Sequence, residues 1–354
     1  MGSSITAEFW IDTEDWHTAG EPFRIVSKIP SGHLPGSATV AQRRRDVIAS
    51  PQDHPLDELR RLLCHEPRGH ADMYGGFITP PDDSGAHFGV LFWHKDGFST
   101  ACGHGTIALG YWAVRHGLVV PPDGDGSVDV VVDVPSGRVV ARVGIKDGTP
   151  TGADFINVPS YQLAESISIT VSSCDYPISV DLAFGGAVYA ALDAAQVSLS
   201  VEPRNVDRFI QLGRDIKAAL GSRAHHGSYD CYGVIIYSEE GAATFDDDRS
   251  KQVTQRNITI FADGQVDRSP CGSGTCARLA VLFAQGSVAP GRSKLLHRSV
   301  IGSVFEADIV SEAPSPVQGF PACVPRVRGQ ANLVGRMSFY IDPADPTFPG
   351  FLLR

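Results

Sequence analysis

Apolar and polar residues along this chain fall mostly into short β-branched runs, interrupted by a few longer stretches with helical spacing. FRIVSKI at 23–29, GVLFWH at 89–94, VDVVVDV at 128–134, YGVIIYS at 232–238 and RNITIFA at 256–262 predict strands. Branched and aromatic side chains suit a pleated, half-buried surface. DELRRLLCH at 57–65, TIALGYWAVRH at 106–116, VDRFIQLGRDIKAAL at 206–220 and TCARLAVLFAQ at 275–285 predict helices. Strands dominate and are not followed one for one by helices, which indicates an α+β chain rather than a regular βαβ array. PPDGDGS at 121–127 and APSPVQGFPACVP at 313–325 predict loops.

Two of the helical stretches are copies of one pattern. Residues 102–117 read CGHGTIALGYWAVRHG and residues 271–286 read CGSGTCARLAVLFAQG. With the cysteines superposed, identical residues fall at 102/271, 103/272, 105/274, 106/275, 108/277 and 117/286. The closing Gly of each suits a helix C-cap, and the apolar run before it suits a buried helix. Repetition at one constant spacing predicts two related halves, each presenting a Cys on a Gly-rich turn at a helix N-terminus.

Chemistry follows from that placement. A helix N-terminus offers unpaired N–H groups and a partial positive charge, so it binds anions. Two such ends facing each other would clamp one small carboxylate. The same field lowers a thiol pKa and makes Cys102 and Cys271 candidate bases. One thiol on each face of a bound carbon is the arrangement for removing a proton from one side and returning one to the other. Loss of an α-proton from an amino acid requires the carboxylate to be stabilised as it gains enolate character, a task for preorganised amides. His104, inside the first turn, and Asp267, before the second, are candidates to hold the substrate nitrogen.

Other readings of these residues are weaker. Cys276 lies one turn into the second helix and reads as a small core residue, and Cys64, Cys174, Cys231 and Cys323 have no partner motif. A zinc site from Cys102, His104, Cys271 and Cys276 lacks the usual ligand spacings. GSGTCA at 272–277 formally fits a dinucleotide fingerprint, but the nearest predicted strand ends near Ala262, too far back for a tight strand–turn–helix unit. A Cys-nucleophile hydrolase leaves the duplicated turn unexplained. A two-lobed amino-acid binding protein would need the amides and Asp267 but no thiols. Glu66, Arg68, His70 and Asp72 read as structural support, and His225 and His226 as solvated loop residues.

Composition narrows the class further. The 354 residues suggest two domains, and 42% hydrophobic content supplies sizeable cores. The net charge of -10 argues against a general nucleic-acid binder. Seven scattered cysteines in so long a chain predict reduced thiols in a cytosol, not a disulfide scaffold. No run approaches the roughly 18 to 20 apolar residues of a membrane span, and MGSSITAEFW lacks the regions of a signal peptide. Met1-Gly2 with Thr6 fits the loose myristoylation pattern, which chance matches often satisfy.

EPRGHADMYG at 66–75, the CGHG turn at 102–105 and DRSPCGSGT at 267–275 closely resemble the proline racemase family. That family also includes hydroxyproline epimerases and trans-3-hydroxyproline dehydratases. The resemblance runs from HTAGEPFRIV at 17–26 through VDLAFGGAVYA at 180–190 to the FLLR ending. It implies a diaminopimelate epimerase-like fold: two pseudo-symmetric halves, each a curved, mainly antiparallel sheet around a buried helix, with the active site in the cleft between them. The halves are expected at 1–180 and 181–340, with 341–354 returning to the first. The resemblance further implies a homodimer without cofactor or metal, and the cysteine usage a cytoplasmic one. The amides of His104, Gly105, Gly272 and Ser273 would bind the carboxylate of an imino acid, and His104 and Asp267 its ring nitrogen.

The branches differ at the second base. Racemases and epimerases resemble this chain in having Cys at both turns, whereas dehydratases carry Thr where Cys271 stands. That predicts a two-base racemase or epimerase. GVLFWHKDGFSTACGHGTIALG is nevertheless worded more like the dehydratase branch, and Ala101 departs from the Met usual before the first Cys. Dehydration of trans-3-hydroxy-L-proline to Δ1-pyrroline-2-carboxylate therefore stays open.

Overall fold

The computed structural model describes residues 5–50, 54–245 and 250–353. The Met1-Gly2 pattern and the final Arg of the FLLR ending lie outside them. The chain forms two compact units. Unit 1 comprises the chain up to Thr18, Pro22–Ala153 and the chain from Gln330; unit 2 comprises Ala19–Glu21 and Asp154–Gly329. The crossing points therefore differ from the expected 180 and 340. The first lies inside a continuous strand and the last between two strands in close succession, so no loop composition marks either.

The first stretch of chain carries β1 (Phe9–Thr18), β2 (Glu21–Val26), α1 (Val40–Ala49), α2 (Pro55–Cys64), β3 (Tyr74–Thr79), β4 (Phe88–His94), β5 (Gly97–Phe98), α3 (Gly103–Arg115), β6 (Gly126–Val134), β7 (Gly137–Lys146) and β8 (Thr149–Ile156). Next come β9 (Ser160–Ile169), β10 (Ile178–Phe184), β11 (Val188–Asp193), α4 (Val206–Leu220), β12 (Cys231–Phe245), β13 (Ser250–Phe261), β14 (Gln265–Asp267), α5 (Gly272–Ala284), β15 (Ser293–Ser299), β16 (Val304–Ala313) and β17 (Ala322–Gly329). The last strand, β18 (Ala331–Ile341), belongs to unit 1.

In unit 1, β1 runs antiparallel to β18, β2 parallel to β3, β3 antiparallel to β4, β4 parallel to β6 and β6 antiparallel to β7. Helix α3 packs against β1, β6, β7 and β18 and is buried from Gly103 to Ala113. A helix apolar on every side has to be enclosed, and IALGYWA leaves it no face for water. Helices α1 and α2 fill the connection between the parallel pair β2 and β3. Thr39 and Gln42 close a capping box on α1, and Pro55 opens α2 with Asp57 and Glu58 in its first turn. The helical period of α1 was not legible because the run QRRRD interrupts it.

In unit 2 the pairings close on themselves. Strands β9, β10 and β11 pair antiparallel in sequence; β11 runs parallel to β12, β12 antiparallel to β13 and β13 parallel to β15. Then β15, β16 and β17 pair antiparallel in sequence, and β17 returns to β9. Helix α5 packs against β9, β10, β11, β12, β16 and β17 and is buried from Gly272 to Leu282. Helix α4 covers the opposite sheet face with Phe209, Leu212 and Ile216. Each unit thus repeats the order parallel, antiparallel, parallel (β2–β3–β4–β6 and β11–β12–β13–β15) around one Cys-capped helix. The sheets are mixed, with antiparallel pairs outnumbering parallel ones in both units. No helix is long and apolar enough to cross a membrane among the described residues.

The expected loop at 313–325 ends in strand β17. Pro325 is tolerated there because the β16–β17 register shifts between Ile309 and Ser311, opposite it.

The β10–β11 turn meets α5 so closely that only glycine fits. A Cβ on Gly185 would lie 2.4 Å from the Ser273 carbonyl oxygen and 2.7 Å from the Ala277 nitrogen, both helix backbone. Gly185→Ala should therefore destabilise by about 1–3 kcal/mol, the usual cost of overpacking, and lower Tm in thermal denaturation. Gly144→Ala, whose Cβ meets nothing nearer than 3.5 Å, serves as the control that should leave Tm almost unchanged.

Candidate active site

In unit 1, Cys102 is the N-cap of α3, with extended backbone at φ -156° and ψ 102°. Its sulfur accepts the Gly105 N–H at 3.2 Å. Thr106 donates both its N–H (3.0 Å) and its hydroxyl (2.8 Å) to the Cys102 carbonyl. Gly105 permits this fold-over, because a Cβ there would stand 2.7 Å from the Cys102 sulfur and 2.5 Å from the Phe23 ring. The sulfur also lies 3.4 Å and 3.6 Å from Nδ1 and Nε2 of His104. The buried His104 ring stands edge-on to Phe23 and Tyr74, and its carbonyl accepts the Thr18 hydroxyl at 2.8 Å. Tyr74 in turn bonds the Ser99 hydroxyl.

In unit 2, Cys271 caps α5 in another way. Its φ of +65° with ψ 106° lies where residues other than glycine are rarely held. A chain of hydrogen bonds holds it there. The Cys271 N–H donates to Ser269 Oγ (3.1 Å), and Ser269 donates its N–H and hydroxyl to Asp267 Oδ1 (2.8 and 2.7 Å). The Pro270 carbonyl accepts from Thr275 Oγ1 (3.1 Å) and Asn257 Nδ2 (3.2 Å). Thr275 Oγ1 also meets His297 Nδ1 at 2.8 Å, an imidazole whose pKa is pushed down to about 3 by burial and by Arg278. A Cβ on Gly274 would lie 2.9 Å from the Cys271 sulfur, so the third residue of this turn is also constrained to glycine.

The electrostatics of the second turn correct one expectation. Burial pushes the Cys271 thiol well above its ordinary value, and the nearby Asp267 carboxylate pushes it further. The Gly274 amide and the Tyr189 hydroxyl pull the other way and lose. Desolvation of a thiolate outweighs the helix-end field here. Burial likewise raises Asp267 to about 6, against hydrogen bonds from Ser269 and Cys271 and the charge of Arg268. Buried Glu21 steadies this segment through the Arg268 N–H (2.8 Å) and Nε (3.1 Å).

Each unit gathers its own share of the expected residues: Cys102, His104 and Gly105 in unit 1, and Asp267, Cys271, Gly272 and Ser273 in unit 2. Gly272 and Ser273 open α5, where helical geometry provides no acceptor for an N–H. The Gly105 N–H, expected on a carboxylate, is directed at the Cys102 sulfur. Cys276 is buried and its thiol is pushed up by burial, as a packing residue would be. Among the described residues no three or more His, Cys, Asp or Glu side chains converge to hold a metal ion. A short strand, β14, stands between Ala262 and the GSGTCA segment and was not legible in its three residues.

Tyr189 was missed. Its buried hydroxyl lies 2.7 Å from Ser273 Oγ and 3.8 Å from the Cys271 sulfur. The only signal was a lone Tyr in the small-residue stretch AFGGAVYA. The 66–72 cluster ties down the C-terminal segment, through Glu66 paired with Phe351 and Arg68 with Asp345. His226 is not a free loop residue, since it bonds the Tyr161 hydroxyl at 2.9 Å. His225 is exposed beside Asp230.

The Proline racemase family profile matches residues 14–352. The chain belongs to the proline racemase family. A trans-3-hydroxy-L-proline dehydratase of Bacillus cereus is 38% identical over 347 residues, covering 96% of this chain and 97% of that one. A 3-hydroxyproline 2-epimerase of Burkholderia multivorans is 39% identical over 355 residues, covering 97% and 98%. The crystal structure of a hydroxyproline epimerase from Agrobacterium vitis, with bound trans-4-OH-L-proline, superposes with a TM-score of 0.84 at 28% identity, covering 97% of this chain and 96% of that one. This member of the proline racemase family is thus an enzyme of a family whose members act as epimerases or dehydratases.

The raised Asp267 pKa has a measurable consequence. Between about pH 4 and 6 the folded protein keeps a proton that the unfolded chain has released, so stability falls as pH rises through that window. Asp267→Asn abolishes this titration. The stability of the variant relative to the parent should therefore increase from pH 4 to pH 7, by roughly 2–4 kcal/mol in urea denaturation. A pH-independent difference would remove the buried, raised carboxyl from the site.

Proposed function

We propose that this enzyme is a cofactor-independent two-base racemase or epimerase acting at the α-carbon of proline or a hydroxyproline. The observation that carries this reading is a cysteine capping a buried helix in each unit, with a thiol retained at the second turn. In the direction that starts at Cys102, its thiolate removes the α-proton and the Cys271 thiol delivers another to the opposite face. The raised pKa of Cys271 suits it to the acid role. The reverse direction exchanges the roles. The turn amides at His104, Gly105, Gly272 and Ser273 stabilise the carboxylate as it becomes enolate-like, with the carboxylate taking over the Gly105 N–H from sulfur. Asp267, ionised above about pH 6, accepts from the ring ammonium, with His104 as the second contact.

The repeated motif and the repeated pairing order support a pair of pseudo-symmetric, diaminopimelate epimerase-like halves. A homodimer rests on the family resemblance alone, and a cytoplasmic location on the scattered cysteines.

The second reading is dehydration of trans-3-hydroxy-L-proline, favoured by the wording of residues 89–110 and by the name of the Bacillus relative. There Cys102 takes the α-proton, the 3-hydroxyl leaves with a proton as water, and the enamine tautomerises to Δ1-pyrroline-2-carboxylate.

Incubation in deuterated water with L-proline, trans-4-hydroxy-L-proline and trans-3-hydroxy-L-proline separates the readings. Epimerisation shows as α-hydrogen exchange with a change in optical rotation, and dehydration as a cyclic imine. Absence of both with all three substrates would sink the enzyme reading. Cys102→Ser should reduce turnover by a factor on the order of 10²–10⁴ or more on either reading. Cys271→Thr should abolish epimerisation, and unchanged epimerisation in that variant would refute the two-base assignment.

A further inference from the structure

Burial and the Asp267 charge both oppose a thiolate at Cys271, yet the reverse reaction requires one. A compensating donor must therefore reach the sulfur. We propose that Tyr189 is a positioning residue for the second thiol: its hydroxyl, oriented by Ser273, donates a hydrogen bond to the Cys271 thiolate and sets how readily this sulfur takes up the α-proton. This inference rests on the two-base reading.

Tyr189 lies on β11 facing α5, in a cluster with Ala183, Ala187, Ile235, Ala277 and Val281 that excludes water from its hydroxyl. Sulfur, phenol oxygen and serine oxygen form a row, with 3.8 Å from Cys271 Sγ to Tyr189 Oη and 2.7 Å from there to Ser273 Oγ. Each hydroxyl has one hydrogen. When Cys271 is a thiolate, Ser273 donates to the Tyr189 oxygen, and the phenol hydrogen is released to point at sulfur. Both protons remain on oxygen, because burial also keeps Tyr189 from ionising. A bond to an ionised acceptor is stronger than one to a neutral group, so the pair favours the thiolate over the thiol.

The groups facing Cys271 from each packed element are few. Asp267 on β14 opposes the thiolate, while the Gly274 amide of α5 and the Tyr189 hydroxyl on β11 favour it. Tyr232 on β12 reaches Tyr189, edge-on at 5.8 Å between ring centroids. At the first turn the neighbour of the sulfur is the His104 ring. The two sulfurs thus have different side-chain neighbours.

The test needs no substrate. In a Cys102→Ser background, the rate of Cys271 labelling by methyl methanethiosulfonate is followed by peptide mass spectrometry at fixed pH below the thiol midpoint. Tyr189→Phe, which keeps the ring, should raise the midpoint by about one unit and leave about tenfold less thiolate. The higher nucleophilicity of a weaker acid offsets part of this, so the labelling rate should fall about threefold. Incorporation of 3-fluorotyrosine at 189, a more acidic donor of nearly the same shape, should raise the rate. An unchanged rate in Tyr189→Phe, or a change of the same sign in both variants, overturns the proposal. A purely structural role would lower Tm without this opposed pair of shifts. If the labelling behaves as expected while no substrate exchanges its α-hydrogen, the two-base reading fails and the Tyr189 contact stands.

Discussion

The structure depends on a sulfur atom folded back over the first turn of an enclosed helix. For Cys102 or Cys271 to cap its helix, the third residue of the turn must have no side chain, since a Cβ would stand under 3 Å from the sulfur at Gly105 or Gly274. Enclosure imposes the next demand. A helix apolar on every side needs strands all around it, which β1, β6, β7 and β18 supply in unit 1 and the closed ring from β9 to β17 supplies in unit 2. The strands in turn must approach the helix backbone, which is why Gly185 sits at the β10–β11 turn. Glycines in the turn, apolar residues in the helix and short strands around it are one requirement expressed three times.

Equal sequence does not produce equal geometry at the two turns. Cys102 is extended and its carbonyl is held by Thr106, whereas Cys271 is at positive φ and Thr275 spends its hydroxyl on Pro270 and His297. The difference begins one residue upstream, with Ala101 in one copy and Pro270 in the other. It is completed by partners distant in sequence, Asn257 and His297. Strain of about 1–3 kcal/mol at a residue such as Cys271 persists only where the surroundings over-determine it, and the Ser269–Asp267 bonds and those of Thr275 and Asn257 to the Pro270 carbonyl do so. The result is a pair of thiols with unlike surroundings, one beside an imidazole and one beside a carboxylate and a phenol. That asymmetry is what the proposed two-base reaction would draw on to use one thiol as acid and the other as base.

The repeat was legible because it is local: a Cys, three glycines, a Thr and an apolar run at fixed spacing name two buried helices and the residues at their mouths. Cys102, Cys271, His104 and Asp267 were singled out by their place at the two turns, whereas the amides of His104, Gly105, Gly272 and Ser273 were named through the family resemblance. Most strands of unit 2 were not singled out, because alternation in strands such as β16 is diluted by charged residues at its less buried positions. The unit boundaries were also hidden, one inside β8 and one between β17 and β18, where composition does not change.

Tertiary structure alone decided the electrostatics and the supporting contacts. Sequence placed Cys271 at a helix N-terminus, where an isolated dipole lowers a thiol pKa; folding removed the water that makes such a thiolate affordable and brought Asp267 against it. Sequence showed a lone Tyr in β11, and only strand pairing put its hydroxyl beside Ser273 and Cys271, more than eighty residues away. Local pattern determines which groups stand at a helix end, because periodicity and turn chemistry act over a few residues. What those groups can do depends on desolvation and on partners brought from distant strands, and both exist only once the chain has closed around them.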